Sequence, residues 1–210
     1  ALSVLEQQAK EKGASLLSLG REIQVALNNM TWSGTEVMVK NTWGELAVHS
    51  PLLGLHQVNN LALAVSAAQV LGASEKVIQQ GVTATKWPGR LEVLSYRDRK
   101  VVLDGAHNPD AAQVVKRTLL ALNDKPVTLV FGVAQDKDIA ETLKPLAELA
   151  QTIIFTKALQ SPRAANPHDL AKLATQANMV FEDPREAIEK AVEISQDGII
   201  LVAGSLYLIG

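Results

Sequence analysis

At 210 residues, with no cysteine, a formal charge of −2, and 47% hydrophobic against 20% charged residues, the chain can build one large or two small cores. That composition excludes a disulfide scaffold, a thiolate nucleophile and a cysteine zinc site, and no apolar stretch nears the roughly 20 residues of a membrane span. Lys and Arg are scattered among Asp and Glu, so no broad basic field awaits a phosphate backbone, and neither nucleic acid nor membrane is an expected partner.

The chain opens at Ala1 already inside the helix-like LSVLEQQAKEKG, and at its other end the run GIILVAG leads into SLYLIG where a further element is due. Both ends read as cut from a longer protein, with no signal-peptide pattern. From Ile23 to Ser50 weak alternation and the turn-like KNTWGE predict a small antiparallel ribbon. The Ala- and Leu-rich HQVNNLALAVSAAQVLG predicts a helix closed by Gly72 at its C′ position. A second helix is expected from Ser74 to about Lys86, ending before Pro88 because the residue preceding proline leaves the α region. KWPGR is the candidate linker between two domains.

Beyond it LEVLSYRDRKVVLD reads as a hairpin, and strand-like runs then alternate with helices. The strands are expected at residues 101–103, 127–133, 152–156, 179–181 and 198–202, and the helices begin near Pro109, Asp138, Pro167 and Pro184. Three of these starts share a device, Asn108-Pro109, Asn166-Pro167 and Asp183-Pro184, in which a capping side chain precedes a proline shaped for the first helical position. Strands apolar at consecutive positions are buried on both faces, as in a parallel sheet covered by helices, so this half is expected to be a Rossmann-like α/β domain.

In an open parallel sheet, ligands bind outside the carboxyl ends of the strands. That rule selects Asp104 to His107, the loop GVAQDKD, the loop KALQSPRAAN, and Gly204-Ser205. Asp104 can accept hydrogen bonds from both ribose hydroxyls of a nucleotide, with Gly105 letting the ligand approach, or it can simply cap its own loop. His107, just ahead of a helix N-terminus, can reach a phosphate or acyl intermediate, or serve as a hydrogen-bonded spacer. His49, His56 and His168 lack metal-ligand spacing, and no metal is assigned to them. Asn60 shares a helical face with Ala64, Ala67 and Leu71 that is expected to be buried; its amide can pair with an adenine edge or bond locally. Arg90 can hold phosphate or pin the two domains. The chain has no G-x-x-x-x-G-K-[ST] and no G-x-G-x-x-G, so it carries at most part of a nucleotide site.

Taken in order and spacing, GLHQVNNLALAVSAAQVLG, WPGRLEV and VVLDGAHNPDAA resemble the folylpolyglutamate synthase and dihydrofolate synthase family of the Mur ligase superfamily. The LDGAHNP element points to the folate branch, since cell-wall Mur ligases carry a lysine-containing sequence after the equivalent Asp. The resemblance implies that residues 1–88 are the later part of a central ATPase domain, and 89–210 a Rossmann-like C-terminal ligase domain truncated at its end. It implies ATP-dependent addition of L-glutamate to dihydropteroate or a folate through an acyl phosphate, in a cytoplasmic and monomeric enzyme. By position, Asn60 matches the family's adenine contact, Arg90 its ATP-binding arginine, Asp104 its ribose contact, His107 a residue near the reacting phosphate, and Ser205 a serine near the amino-acid site. The P-loop, the Mg2+ ligands and a modified lysine belong to the N-terminal part, so this chain alone is expected to be inactive. Two other readings stay open: another Mur-type amino-acid ligase, for which lysine rather than histidine after the strand-end Asp is the discriminating feature, and a non-catalytic nucleotide-binding module.

Overall fold

The structure is a computed structural model that describes residues 2–122 and 125–210, and the chain separates into two units. The first comprises residues up to Met30 with Gly34–Pro51 and His56–Thr85; the second comprises Thr31–Ser33, Leu52–Leu55 and Lys86–Gly210.

The first unit is built from α1 (Leu2–Lys12), β1 (Gln24–Thr31), β2 (Gly34–Asn41), β3 (Gly44–Ser50), α2 (Leu55–Val70) and α3 (Glu75–Thr83). Its strands form a three-stranded sheet in the order β1-β2-β3, with β2 and β3 antiparallel from Asn41↔Gly44 to Thr35↔Ser50. The expected ribbon is therefore a sheet of three strands. Val37, Val39, Leu46 and Val48 from the sheet pack with Leu61, Ala62 and Val65 of α2 and Ile78 of α3. Asn41 in the β2–β3 turn donates its amide to Ser66 Oγ and Gln69 Oε1, both at 2.8 Å, which ties that turn to α2. Gly72 takes the left-handed conformation foreseen for it, φ +80°, and the Gly72 and Ala73 amides donate to Gln69 and Ala68 carbonyls at 2.9 and 3.0 Å.

The expectation for the Asn60 face is overturned. Asn60, Ala64 and Ala67 are exposed and Leu71 is 86% exposed, while Gln57, Leu61, Ala62, Val65 and Ser66 face the core. The physical reason is that α2 carries Ala and Leu all round, so periodicity does not choose a face, whereas the Asn41 amide fixes Ser66 and Gln69 against the sheet.

The second unit contains β4 (Glu92–Tyr96), β5 (Arg99–Asp104), α4 (Pro109–Leu122), β6 (Val127–Phe131), α5 (Ile139–Ala147), β7 (Ala150–Phe155), α6 (Pro167–Ala171), β8 (Asn178–Val180), α7 (Pro184–Ile194), β9 (Ile199–Ala203) and α8 (Leu206–Ile209). Six strands lie in the order β4-β5-β9-β6-β7-β8; only β4 runs antiparallel to its neighbour. Every residue of β6 and β9 is buried, as the unbroken apolar runs require. Alternate residues serve two cores: Leu129, Phe131, Ile153, Phe155 and Leu201 on one face, and Val130, Ile154, Ile200 and Val202 with Ala187 and Ala191 of α7 on the other. All three Asx-Pro helix starts are capped as the sequence implies: Asn108 Oδ1 accepts from Ala111 N, Asn166 Oδ1 from His168 N and Asp183 Oδ1 from Arg185 N, at 2.8, 2.9 and 2.7 Å. Strand β6 ends at Phe131 rather than Val133: the Gly132 amide makes a last bond to the Ala203 carbonyl at 3.2 Å, and Val133 instead accepts from the Ala165 amide at 2.8 Å. Among the described residues no helix is long and apolar enough to cross a membrane, and no group of His, Asp and Glu is arranged to hold a metal ion.

Candidate functional site

Four loops leave the carboxyl edge of the parallel strands in the second unit, and they meet around a cavity of about 150 Å3. Its lining takes His107 from the loop after β5, Ala134 and Lys137 from that after β6, Ser161 and Arg163 from that after β7, and Gly204 to Tyr207 from that after β9. The β6 and β7 loops are tied together by a Gln135 amide bond to the Arg163 carbonyl at 2.8 Å and an Ala134–Ala164 bridge. Gly204 has φ +111°, and a Cβ there would lie 2.6 Å from the Gly132 carbonyl oxygen, so no other residue fits where these two loops cross.

The cavity is cationic on one side. Arg163 Nη2 donates to both oxygens of Asp136 at 2.8 and 2.7 Å, and Lys137 Nζ lies 3.9 Å from the same carboxylate. The Arg163 guanidinium holds the Asp136 carboxyl below its ordinary value. His107 Nδ1 is 2.8 Å from the Gly105 carbonyl, which requires the proton on Nδ1 and leaves Nε2 bare in the neutral ring. Ser205 Oγ accepts from the Tyr207 amide at 3.1 Å and caps α8, so its hydroxyl proton is left to donate.

Asp104 ends β5, three residues before His107, and is only 5% exposed. Its Oδ1 accepts from the Ala106 amide at 2.8 Å and its Oδ2 from the Leu91 amide at 2.9 Å, so the carboxylate does cap its own loop and reaches back to the WPGRL turn as well. Burial pushes its carboxyl above the ordinary value, against these two amides and the charges of Arg90 and His107, which pull the other way. A Cβ on Gly105 would also strike the side chain of Leu206 in α8, so the chain itself packs closely against this position. Arg90 has no hydrogen bond or ion pair to a described residue, and its guanidinium sits 5.9 Å from the centre of the Trp87 ring. Asn60, in the first unit, donates to Gln57 Oε1 at 2.9 Å, the local bond weighed for it above.

Of the expected residues, His107 and Ser205 line one cavity and Asp104 and Arg90 are linked through Leu91. Lys137, Arg163 and Asp136 were not singled out, although their loops were. The signal available was their charge, placed in segments the strand-end rule had already selected.

A doubly covered, mostly parallel sheet with a polar cavity at its carboxyl edge defines the class, and residues 89–206 match the family model described as Mur ligase, glutamate ligase domain, so the chain belongs to that family. Within it the similar proteins include folate enzymes and also a UDP-N-acetylmuramoyl-L-alanyl-D-glutamate--2,6-diaminopimelate ligase of Halalkalibacterium halodurans, 34% identical over 173 residues and covering 76% of this chain and 34% of that protein. The chain is 30% identical to the dihydrofolate synthase/folylpolyglutamate synthase of Escherichia coli over 210 residues, covering 99% of this chain and 48% of that protein. It superposes on the crystal structure of Thermotoga maritima folylpolyglutamate synthase with a TM-score of 0.86 at 29% identity, covering 99% of this chain and 49% of the other. For Mycobacterium tuberculosis folylpolyglutamate synthase, solved with ADP and AMPPCP, the TM-score is 0.84 at 27% identity, covering 99% of this chain and 50% of the other. The chain thus spans about half the length of these folate enzymes.

Proposed function

We propose that the chain is the carboxyl-terminal portion of an ATP-dependent ligase that joins L-glutamate to dihydropteroate or a folate, with residues 1–88 completing a central ATPase domain and 89–210 forming the ligase domain. The observation that carries this reading is the convergence of His107, Lys137, Arg163 and Ser205 on one strand-end cavity. A dicarboxylate amino acid needs cations for its two carboxylates and an acceptor facing its amine. Lys137 and Arg163 supply charge, the Ser205 hydroxyl a donor and the bare His107 Nε2 an acceptor.

In the reaction, an oxygen of the pterin substrate's carboxylate attacks the terminal phosphorus of ATP and ADP leaves. The glutamate nitrogen then attacks the acyl carbon, phosphate departs, and the amine gives up a proton. Arg90, whose guanidinium has no carboxylate partner among the described residues, suits an ATP phosphate. Asp104 retains one lone pair on each oxygen for ribose hydroxyls, and Asn60 presents an exposed amide for adenine. Mg2+ accompanies ATP in this reading, with its ligands supplied by the ATPase half. The whole enzyme is assigned to the cytoplasm, as a monomer acting on small molecules.

The test is a titration of the chain with L-glutamate, following the amide signals of His107, Lys137 and Ser205. A saturable response, absent with L-glutamine, is expected; an equal response to both, or none, overturns the assignment.

A further inference from the structure

We propose that Leu91 and Asp104 form a latch that fixes the direction of Arg90, making Leu91 a positioning residue for the anionic group that Arg90 binds; that this group is the ATP phosphates rests on the ligase reading above. Leu91 is 2% exposed and has φ +46°, a backbone conformation that a bulky side chain adopts only when its surroundings compel it. What compels it is on the strand end: the Leu91 amide donates to Asp104 Oδ2 at 2.9 Å. On the other side of Arg90, Gly89 is also left-handed, φ +69°; its amide donates to Glu92 Oε2 at 2.8 Å and its carbonyl accepts from the Gly105 amide at 2.9 Å.

Arg90 is therefore the one residue of the turn whose neighbours are both tied down while its own side chain holds no ion pair. Arg21, Arg97 and Arg163 each hold a carboxylate, whereas Arg99 and Arg185, like Arg90, hold none among the described residues; Arg90 differs from those two in the tied backbone on both of its sides. A guanidinium left unpaired on a backbone strained into place is what preorganisation for an external anion demands, because the ordering cost is met in folding rather than at binding. Gly105 extends the device, since its amide holds Gly89 and its carbonyl holds His107 Nδ1 at 2.8 Å. The same residue thus orients Arg90 and His107.

The experiment uses the chain labelled with 15N. In the unsubstituted protein the Arg90 backbone amide is expected to be as rigid as β5, and the Leu91 amide slow to exchange. Asp104→Asn, which replaces one acceptor oxygen with a donor, should free Arg90 and speed Leu91 exchange about tenfold or more, with Leu201 exchange unchanged. Glu92→Ala, which releases Gly89 without entering the core, should also free Arg90 if Asp104→Asn fails to fold. In a second arm tripolyphosphate is the probe, read at the Arg90 Nε–Hε signal. Asp104→Asn should weaken its binding about tenfold, and should add nothing in an Arg90→Gln background, because Asp104 acts through Arg90. Arg90 remaining rigid in both variants, or additive losses in the double variant, overturns the latch. No tripolyphosphate response in the unsubstituted chain overturns the phosphate reading instead, and the relaxation data then decide the latch alone.

Discussion

Asp136 and Arg163, 27 residues apart in sequence, meet across two strand-end loops through both carboxylate oxygens, at 2.8 and 2.7 Å. Both side chains are half exposed, so the pair is worth little to stability and holds Arg163 beside the cavity. Arg163→Gln should leave the melting temperature nearly unchanged and weaken L-glutamate binding at least about tenfold, the loss expected of a charge-assisted bond. Calorimetric titration beside thermal unfolding checks it; unchanged affinity removes Arg163 from the amino-acid site.

The pH dependence of Asp104 follows from its raised carboxyl. A group whose folded-state pKa exceeds the unfolded value, about 3.9 for Asp, binds its proton more tightly in the native state. Its contribution to stability is therefore full below that value and is lost as pH rises through the folded pKa. Relative to Asp104→Asn, the unsubstituted chain should lose stability as pH rises through this window. Urea midpoints measured from pH 3.5 to 7 check it, and a difference that moves the opposite way refutes it. Asp104→Ala should cost more than loop capping alone, since it orphans two buried amides at about 1–3 kcal/mol each.

Phe155, fully buried, meets Phe131 edge to face, with ring centres 6.3 Å apart. Phe155→Ala should cost about 3–5 kcal/mol and Phe155→Leu much less, by the difference in cavity left behind. Denaturant unfolding of the two variants would show the ordering.

The β4–β5 hairpin turns on Arg97 and Asp98, both left-handed at φ +46° and +60° between the paired Tyr96 and Arg99. This is the backbone that Asn-Gly serves best, and Arg97 is engaged with Glu189, so the second position is the one to change. Asp98→Gly should stabilise the chain by up to about 1 kcal/mol, and Asp98→Val should destabilise it. Equal midpoints for all three chains would show that the turn is not strained.

The second unit was legible because its signals are local. Each Asx-Pro pair sits one residue from the helix it starts, and β6 and β9 are apolar without interruption, which only a doubly covered strand requires. The same locality placed His107 and Ser205 at strand ends, where they share a cavity. The burial expected of the face that carries Asn60 failed for want of a local signal, because an all-round apolar helix takes its facing from a distant turn, here Asn41. Leu91 was invisible for a related reason. Its left-handed backbone is imposed by a carboxylate 13 residues downstream, and nothing in the residue type Leu announces it.

Strand β9, which follows β4 to β8 in sequence, lies between β5 and β6. During synthesis β5 and β6 have no partner for their facing edges until residues 199–203 have left the ribosome, so these strands are joined through the middle of the sheet only after β6, β7 and β8 have been made. Such late, long-range closure is slow, and it leaves two apolar strand edges open to other nascent chains in the meantime. A chain stopped a dozen residues short would hold two half-sheets and no nucleus to join them.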